Sequence, residues 1–417
     1  MTNSKTETHA RGSALERCVS VRSAVFGREY WAVQPLHSPA ESLPGDFSDL
    51  FSAAAADELL TDRALRTPFI RMAKEGAVLP PERYTAPGGF GAQVADQVDS
   101  AMVLREFADG ATIVLQGLHR TWPAIQAFTR RLVEELGHPA QVNAYITPES
   151  SRGFDPHYDL HDVFVLQVDG EKHWRVHAPV LVHPRADEPW SRHRGAVAAR
   201  AAEEPVLDVV MRPGDVLYLP RGWLHSATAL QGTTIHLTVG VAAFTGADVV
   251  SELVASVSGS PALRAPLPIM GSAADGNRLE TAVQEVTKAF LGALNASSDV
   301  TPSHTAEALR RKRRQRVRPE PVAPLATIDT ASELAGDVVV RLRAGLDTRV
   351  TVDSDGVHLA TPGKGLRLPL ACEAAIRALA HHERFGAAAL PGLDEADSLV
   401  VTRRLLRSGL LVIERLD

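Results

Sequence analysis

Cysteine is almost missing from this chain. Two thiols, Cys18 and Cys372, sit near opposite ends of 417 residues, too few and too distant for a disulfide framework or a zinc finger. That usage suits a reducing compartment, and the cytoplasm is the expected location. Aromatic residues make up only 5%, so aliphatic and alanine side chains must supply most of the packing. No apolar run approaches the roughly 20 residues that cross a bilayer. The opening Met1-Thr2-Asn3-Ser4-Lys5-Thr6-Glu7 lacks the apolar core of a signal peptide, and no membrane association is expected. Neither sign of charge dominates: 44 basic against 50 acidic side chains leave a net charge of -6. This argues against a whole-chain footprint for nucleic acid, though a local basic patch remains compatible. What is present is a 45% hydrophobic content and a length beyond one ordinary core, so two or three domains are expected.

Residues 1–22 read as a flexible polar tail. Apolar residues at mixed helical spacings suggest a helix over Pro44 to Leu60, and Pro123 to Leu136 reads as an amphipathic helix closed by Gly137 and Pro139. Ile113 to Leu115 looks like a short strand. From Val142 to about Ala243 the texture becomes short strands and turns: Val163 to Val168, an Asp169-Gly170 hairpin, a returning strand to His177, the Arg212-Pro213-Gly214-Asp215 turn, Val216 to Leu219, and Thr233 to Val241. Many short antiparallel strands at this spacing indicate a sandwich or jelly roll. Residues 247–295 return to helix, with Val249, Val250, Leu253, Val254 and Val257 as an apolar face. The stretch 310–318 has seven basic residues in nine and leads into a Pro-rich segment. It reads as a solvated linker or helix end ahead of contact with RNA or an acidic partner. Beyond about 335, strand-like pieces flank two helices (Ala371 to His382 and Asp394 to Ser408), a pattern resembling a winged helix.

The chemistry concentrates in Gly153-Phe154-Asp155-Pro156-His157-Tyr158-Asp159. A His-x-Asp pair puts an imidazole and a carboxylate on one side of an extended segment. Alone, such a pair is more often an ordinary surface strand. A third ligand would complete a two-histidine, one-carboxylate face that leaves adjacent metal positions open. His225 is the candidate: it lies sixty-six residues after Asp159, behind a strand and the Pro220-Arg221-Gly222 turn, which would aim it inward. Lys172 shares a strand face with Trp174 and Val176. A lysine there either meets an anion or packs its stem and lets its head escape to solvent; this strand accounts for both equally well. His161, His173, His177, His183 and His193 are dense but irregularly spaced, and read as surface histidines. Asp155 and Asp162 read as structural or substrate-side residues, and Arg221 as contacting substrate or, at least as readily, stabilising its loop.

Together these residues resemble the JmjC-type oxygenases, and within them the ribosomal oxygenases, which include arginyl and histidyl hydroxylases of ribosomal proteins. The resemblance runs over Asn143 to Pro148, Gly153 to Asp159, Asp162 to Gln167, Gly170 to Val176, Pro213 to Asp215, Tyr218 to Gly222, His225, and His236 to Thr238. It implies Fe(II) on His157, Asp159 and His225, with 2-oxoglutarate anchored by Lys172 near Asn143 and Tyr145. The implied fold is α+β: a double-stranded β-helix (jelly-roll, cupin-like) domain, a helical dimerisation region and a C-terminal winged-helix domain. On this chain those fall at 23–246, with an N-terminal helical extension, at 247–325 including the basic and Pro-rich linker, and at 326–417. The implied activity is a 2-oxoglutarate-dependent dioxygenase that uses O₂ to hydroxylate a ribosomal protein or peptide, as a homodimer. Two other readings stay open: a hydroxylase of a peptide or small natural product, and a non-catalytic cupin-like binding or regulatory protein. Arg403, Arg404 and Arg407 are thin charge for reading a DNA groove, so direct nucleic-acid binding is not expected.

Overall fold

The computed structural model describes residues 13–91, 93–151, 154–268, 276–296, 301–346, 348–361 and 364–414. Gly153 of the His-x-Asp segment and the first twelve residues of the expected tail lie outside them. The chain divides into two compact units, Met1–Ala243 and Phe244–Asp417.

The first unit carries β1 (Leu36–Ser38), β2 (Ile70–Lys74), β3 (Ala77–Val78), β4 (Thr85–Ala86), β5 (Gln97–Val98), β6 (Thr112–Leu115), β7 (Ala140–Thr147), β8 (Asp162–Asp169), β9 (Lys172–His177), β10 (Leu207–Met211), β11 (Val216–Leu219), β12 (Leu224–Ala229) and β13 (Thr234–Val241). Eight of them form one sheet in the order β1-β11-β8-β13-β7-β6-β2-β3, and β10-β9-β12 form a second. Neighbours pair antiparallel throughout, β8 with both β11 and β13 at the centre of the large sheet.

Alternation along the strands decides what each face meets. On β8, Phe164 and Leu166 pack into the main core, while Val163 and Val165 join Leu217 and Leu219 against Trp174, Val176 and Met211 of the small sheet. Both faces of β8 are therefore apolar, which is why it reads as an unbroken hydrophobic run. β7 and β13 differ. Val142, Ala144 and Ile146 on β7, and Ile235, Leu237 and Val239 on β13, enter the main core. Their alternate residues, Asn143, Tyr145 and Thr147 opposite Thr238, His236 and Thr234, form a polar inner face.

The helix Pro123–Leu136 covers the outer face with Ile125, Phe128 and Leu132. Pro123 occupies its first turn, and Gly137 in the left-handed region at φ 73° ends it. The expected Pro44 to Leu60 helix starts only at Ala53, where the Ser52 hydroxyl accepts from the Ala55 N–H at 3.2 Å; Phe47, Leu50 and Phe51 are buried in the turn before it. The tail reading fails for residues 13–22. Ala14, Leu15, Cys18 and Val19 are buried, and the Glu135 carboxylate accepts from the Ala14 and Leu15 amides, each at 2.8 Å. Short apolar residues scattered among polar ones gave no periodicity to betray this. Cys18 and Cys372 are both buried free thiols.

The second unit opens with helices Gly246–Val257, Pro261–Arg264, Gly276–Ala296, Thr301–Arg316 and Pro324–Ser332. Of the two expectations for the basic run, linker or helix end, the structure shows the helix end: all but Val317 and Arg318 belong to the third full-length helix of this series, Thr301–Arg316, and Arg313, Arg314 and Arg316 fill its last turn, where cations complement the helix dipole. β14 (Val339–Leu342), β15 (Arg349–Asp353), β16 (Gly356–Thr361), β17 (Lys364–Leu368), β18 (Arg384–Gly386) and β19 (Leu411–Ile413) follow, with helices Glu373–Ala380 and Glu395–Arg407. They form two three-stranded sheets, β18-β14-β19 and β15-β16-β17. Among the described residues no helix is long and apolar enough to cross a membrane.

Candidate active site

His157 and Asp159 lie on the segment entering β8, and His225 is the second residue of β12. A reciprocal backbone pair joins the two: the His225 N–H donates to the His157 carbonyl at 2.8 Å, and the His157 N–H to the His225 carbonyl at 3.2 Å. The Pro220–Trp223 turn completes the frame. Its Gly222 stands at φ +88°, and an added Cβ would lie 2.7 Å from the Leu181 carbonyl oxygen. The Gly222 N–H also donates to the Asp159 carbonyl at 3.0 Å. One turn thus ties both ligand-bearing segments together.

The side chains converge accordingly. One ligand atom from each of His157, Asp159 and His225 lies within 4.8 Å of the others. His157 Nδ1 is 2.7 Å from the Asp155 carbonyl and His225 Nδ1 is 3.1 Å from the Trp223 carbonyl. Each carbonyl can only accept, so it fixes the ring proton on Nδ1 and leaves the Nε2 lone pair for a metal. Burial, with His157 alongside, pushes His225 down to about 4, keeping it neutral as a ligand must be. Burial opposes ionisation of Asp159, but the His225, His161 and His157 rings and Arg71 outweigh it and hold the carboxyl below its usual range.

The triad opens on a cavity of about 220 Å³ whose wall includes Arg71, Thr112, Tyr145, Thr147, Phe154, Lys172, Trp174, Trp190, His236 and Thr238. Lys172 is 4% exposed, which removes the reading in which its head escapes to solvent. Its Nζ reaches the Thr147 hydroxyl at 3.2 Å, and burial alone pushes it down to about 7. Other buried polar atoms nearby are unpartnered among the described residues: the Trp174 Nε1 and Arg71 Nε donors and His236 Nδ1. Buried donors without acceptors are costly, so a cavity walled by them fits an anion. With three N/O donors for a divalent metal alongside, the residues present fit iron and a keto-dicarboxylate.

Of the two residues expected near the co-substrate, Tyr145 lines the cavity. Asn143 shares its strand face but is not in the wall; its Oδ1 accepts from the Gly117 N–H at 3.0 Å. Arg71, Thr147 and His236 were given no role from the sequence. Thr147 was within reach, since Asn143, Tyr145 and Thr147 alternate with apolar residues. Arg71 was not, because the region before β6 showed no strand period. His236 is buried, stacks flat on Tyr145 with centroids 5.0 Å apart, and is held well below its usual range by burial and then by Lys172. Two of the supposed surface histidines are not on the surface. His177 is 3% exposed, covered by the segment carrying Glu203, whose carbonyl lies 3.2 Å from its Nε2. His161 is half-buried and packs over Gly240, where a Cβ would come within 2.7 Å of its ring. His173 pairs with Asp208. Asp162 is buried and structural, accepting from the Tyr218 hydroxyl at 3.1 Å and the Arg221 N–H at 3.3 Å.

Residues 119–249 match the JmjC domain family. The chain carries a JmjC domain. Its sequence is 43% identical over 99 residues to the bifunctional lysine-specific demethylase and histidyl-hydroxylase NO66 of Drosophila persimilis, covering 24% of this chain and 14% of that protein. It is 31% identical over 216 residues to ribosomal oxygenase 1 of Gallus gallus, covering 51% and 34%. The chain thus spans about a third or less of the length of these curated relatives. Among solved structures, the chain superposes on the Escherichia coli ribosomal oxygenase YcfD with TM-score 0.52 at 18% identity, covering 95% of this chain and 99% of that one. A YcfD structure in complex with cobalt and 2-oxoglutarate gives TM-score 0.53 at 17% identity. The match establishes a shared JmjC/cupin-like fold of mixed helices and sheets.

Proposed function

We propose that this protein is an Fe(II)- and 2-oxoglutarate-dependent oxygenase that hydroxylates a side chain of a ribosomal protein. One observation carries the reading: the His157, Asp159 and His225 ligand atoms share a cavity with a buried lysine that has no counter-anion among the described residues. His157 Nε2, His225 Nε2 and an Asp159 carboxylate oxygen would hold the metal. Lys172 Nζ and the Thr147 hydroxyl would take the distal carboxylate of the co-substrate, restoring the lysine's charge with a partner in a dry site. Iron with 2-oxoglutarate, when bound, supplies the oxidising chemistry by which O₂ converts the keto acid to succinate and CO₂ and hydroxylates a C–H bond. Val163, Val165 and Trp174 exclude water around the lysine, and Tyr145 and His236 form a flat wall beside it.

The names of the relatives, histidyl-hydroxylase and ribosomal oxygenase, support a ribosomal substrate. Exposed apolar residues on the helices after Ala243 support a homodimer through that region. The two helices and short sheets beyond residue 335 support a winged-helix module that serves protein interaction, with the whole protein working in the cytoplasm. The test is succinate release with Fe(II), 2-oxoglutarate and ribosomal proteins from a strain lacking the gene, read together with their intact masses. The expected result is turnover and a one-oxygen mass gain on one ribosomal protein. Absence of both with every ribosomal protein would overturn the reading.

A further inference from the structure

The helix Thr301–Arg316 and the two residues after it hold seven cations, Arg310, Arg311, Lys312, Arg313, Arg314, Arg316 and Arg318, against one carboxylate, Glu307. This stretch is therefore +6 within a chain of net charge -6, and the rest of the chain stands at -12. Complementing the helix dipole needs cations only in the last turn, and Arg310 and Arg311 lie before it. Like charges three and four apart, as at 310 and 313, 310 and 314, or 312 and 316, weaken the helix that carries them. Neighbouring acids relieve only part of this. Glu307 pairs with Arg314 at 2.8 Å, Arg310 at 3.5 Å and Arg349 of β15 at 3.9 Å, and Glu252 pairs with Lys312. Arg311, Arg313 and Arg318 are exposed and have no ion pair among the described residues. Arg316 is exposed as well, its guanidinium carbon 5.6 Å from the centre of the Phe244 ring. The fold also brings Arg349, its side chain 69% exposed, to this surface.

We propose that this helix is a docking face for RNA, gripping the phosphate backbone irrespective of base sequence. The inference goes beyond the oxygenase reading and takes from it only the choice of RNA over DNA, since a ribosomal substrate is met beside ribosomal RNA. Six of the seven cations are arginine, whose planar fork sets two donors against one phosphate. Thr305 and Ala308 form the buried side of the helix, and Lys312 turns to Glu252 of helix Gly246–Val257. The exposed described residues of the helix include no large apolar or aromatic side chain. A protein partner asks for an apolar anchor at the centre of its patch, and a membrane surface for an apolar face to insert. Base recognition on single strands asks for aromatic platforms. A polyphosphate asks for charge alone.

The test is fluorescence anisotropy of the full chain with a short labelled RNA duplex, from low to physiological salt. Affinity should fall with salt along a logarithmic slope of about -4, the counterion release of four or five phosphates. Arg311→Gln combined with Arg313→Gln and Arg318→Gln should weaken binding by about ten-fold or more and flatten the slope by about 3. The Mn(II) and 2-oxoglutarate affinities of that variant should match the parent's, and its Tm should be equal or higher because repulsion is relieved. The matching triple lysine variant should keep most of the affinity. No binding of the parent at low salt, unchanged binding by the glutamine variant, or tighter binding of poly-glutamate or of a DNA duplex than of RNA would overturn the proposal. These measurements need neither iron nor turnover. If succinate release fails with every ribosomal protein, the oxygenase reading falls and the anisotropy still decides the RNA face; if RNA binding fails, turnover on ribosomal proteins is untouched.

Discussion

At the scale of single residues, the site is a set of ionisation states fixed by surroundings. His225 is neutral because it is buried, and its Nδ1 is anchored on a carbonyl. Asp159 is ionised because the rings and Arg71 around it outweigh its own burial. Replacing His157 or Asp159 by alanine should reduce succinate release to background and abolish Mn(II) binding, with an unchanged circular-dichroism spectrum; full turnover in either variant would refute the metal assignment. Lys172 makes a sharper case. Its folded value of about 7 lies below the ordinary 10.5, so between these the unfolded chain binds more protons than the folded one. The ligand-free protein should therefore gain stability as pH rises from about 7 toward 10.5, and that gain should vanish in Lys172→Met. The 2-oxoglutarate affinity should run the opposite way. The anion needs the charged lysine, so calorimetric affinity should fall above about pH 7. Lys172→Ala should weaken it by roughly 10–100-fold, the worth of a charged hydrogen bond. An affinity insensitive to both pH and this substitution would place the distal carboxylate elsewhere.

At the scale of elements, a turn and a strand pairing set the geometry. The Pro220–Trp223 turn needs the left-handed backbone at Gly222, and the Leu181 carbonyl leaves no room for a Cβ. Gly222→Ala should cost about 1–2 kcal/mol in strain alone and disturb the N–H that holds Asp159. The expected result is a lowered Tm together with weaker metal binding; a lowered Tm with metal affinity intact would show that the turn serves stability only. The strands themselves were legible because both periods are visible in the chain. Val163 to Leu166 reads as a strand apolar on both faces, and Pro123 to Leu136 as a helix between a proline and a glycine. Boundaries blurred where a cap decided them: Ser52 delays the helix that the Phe47, Leu50 and Phe51 spacing suggested. The arginine-rich run was readable only as a linker or a helix end because charge hides helical periodicity; its last-turn cations stabilise the helix end.

At the scale of the whole molecule, the helices after Ala243 leave Val250 58%, Val283 53% and Leu291 52% exposed, and Leu279, Val283 and Val286 recur at helical spacing on one of them. Apolar stripes of this kind ask for a cover. If the cover is a second copy, Val283→Glu with Leu291→Glu should turn a dimer into a monomer by light scattering, with catalytic metal binding intact. A monomeric parent protein would remove the homodimer from the proposal.

The sequence by itself determined the strands β6, β8, β9, β11 and β13, their turns and the residue types of the proposed metal triad, because strand alternation, Asp-Gly and Pro-Gly turns and His-x-Asp are local chemistry. Only the tertiary structure decided that Lys172 is enclosed, that Arg71 from a distant strand joins the same cavity, and that Asn143 stands outside its wall. Enclosure depends on which sheet faces which, and Arg71 and Tyr145, 74 positions apart, carry no mark of meeting until pairing across β2, β6 and β7 brings them into one row.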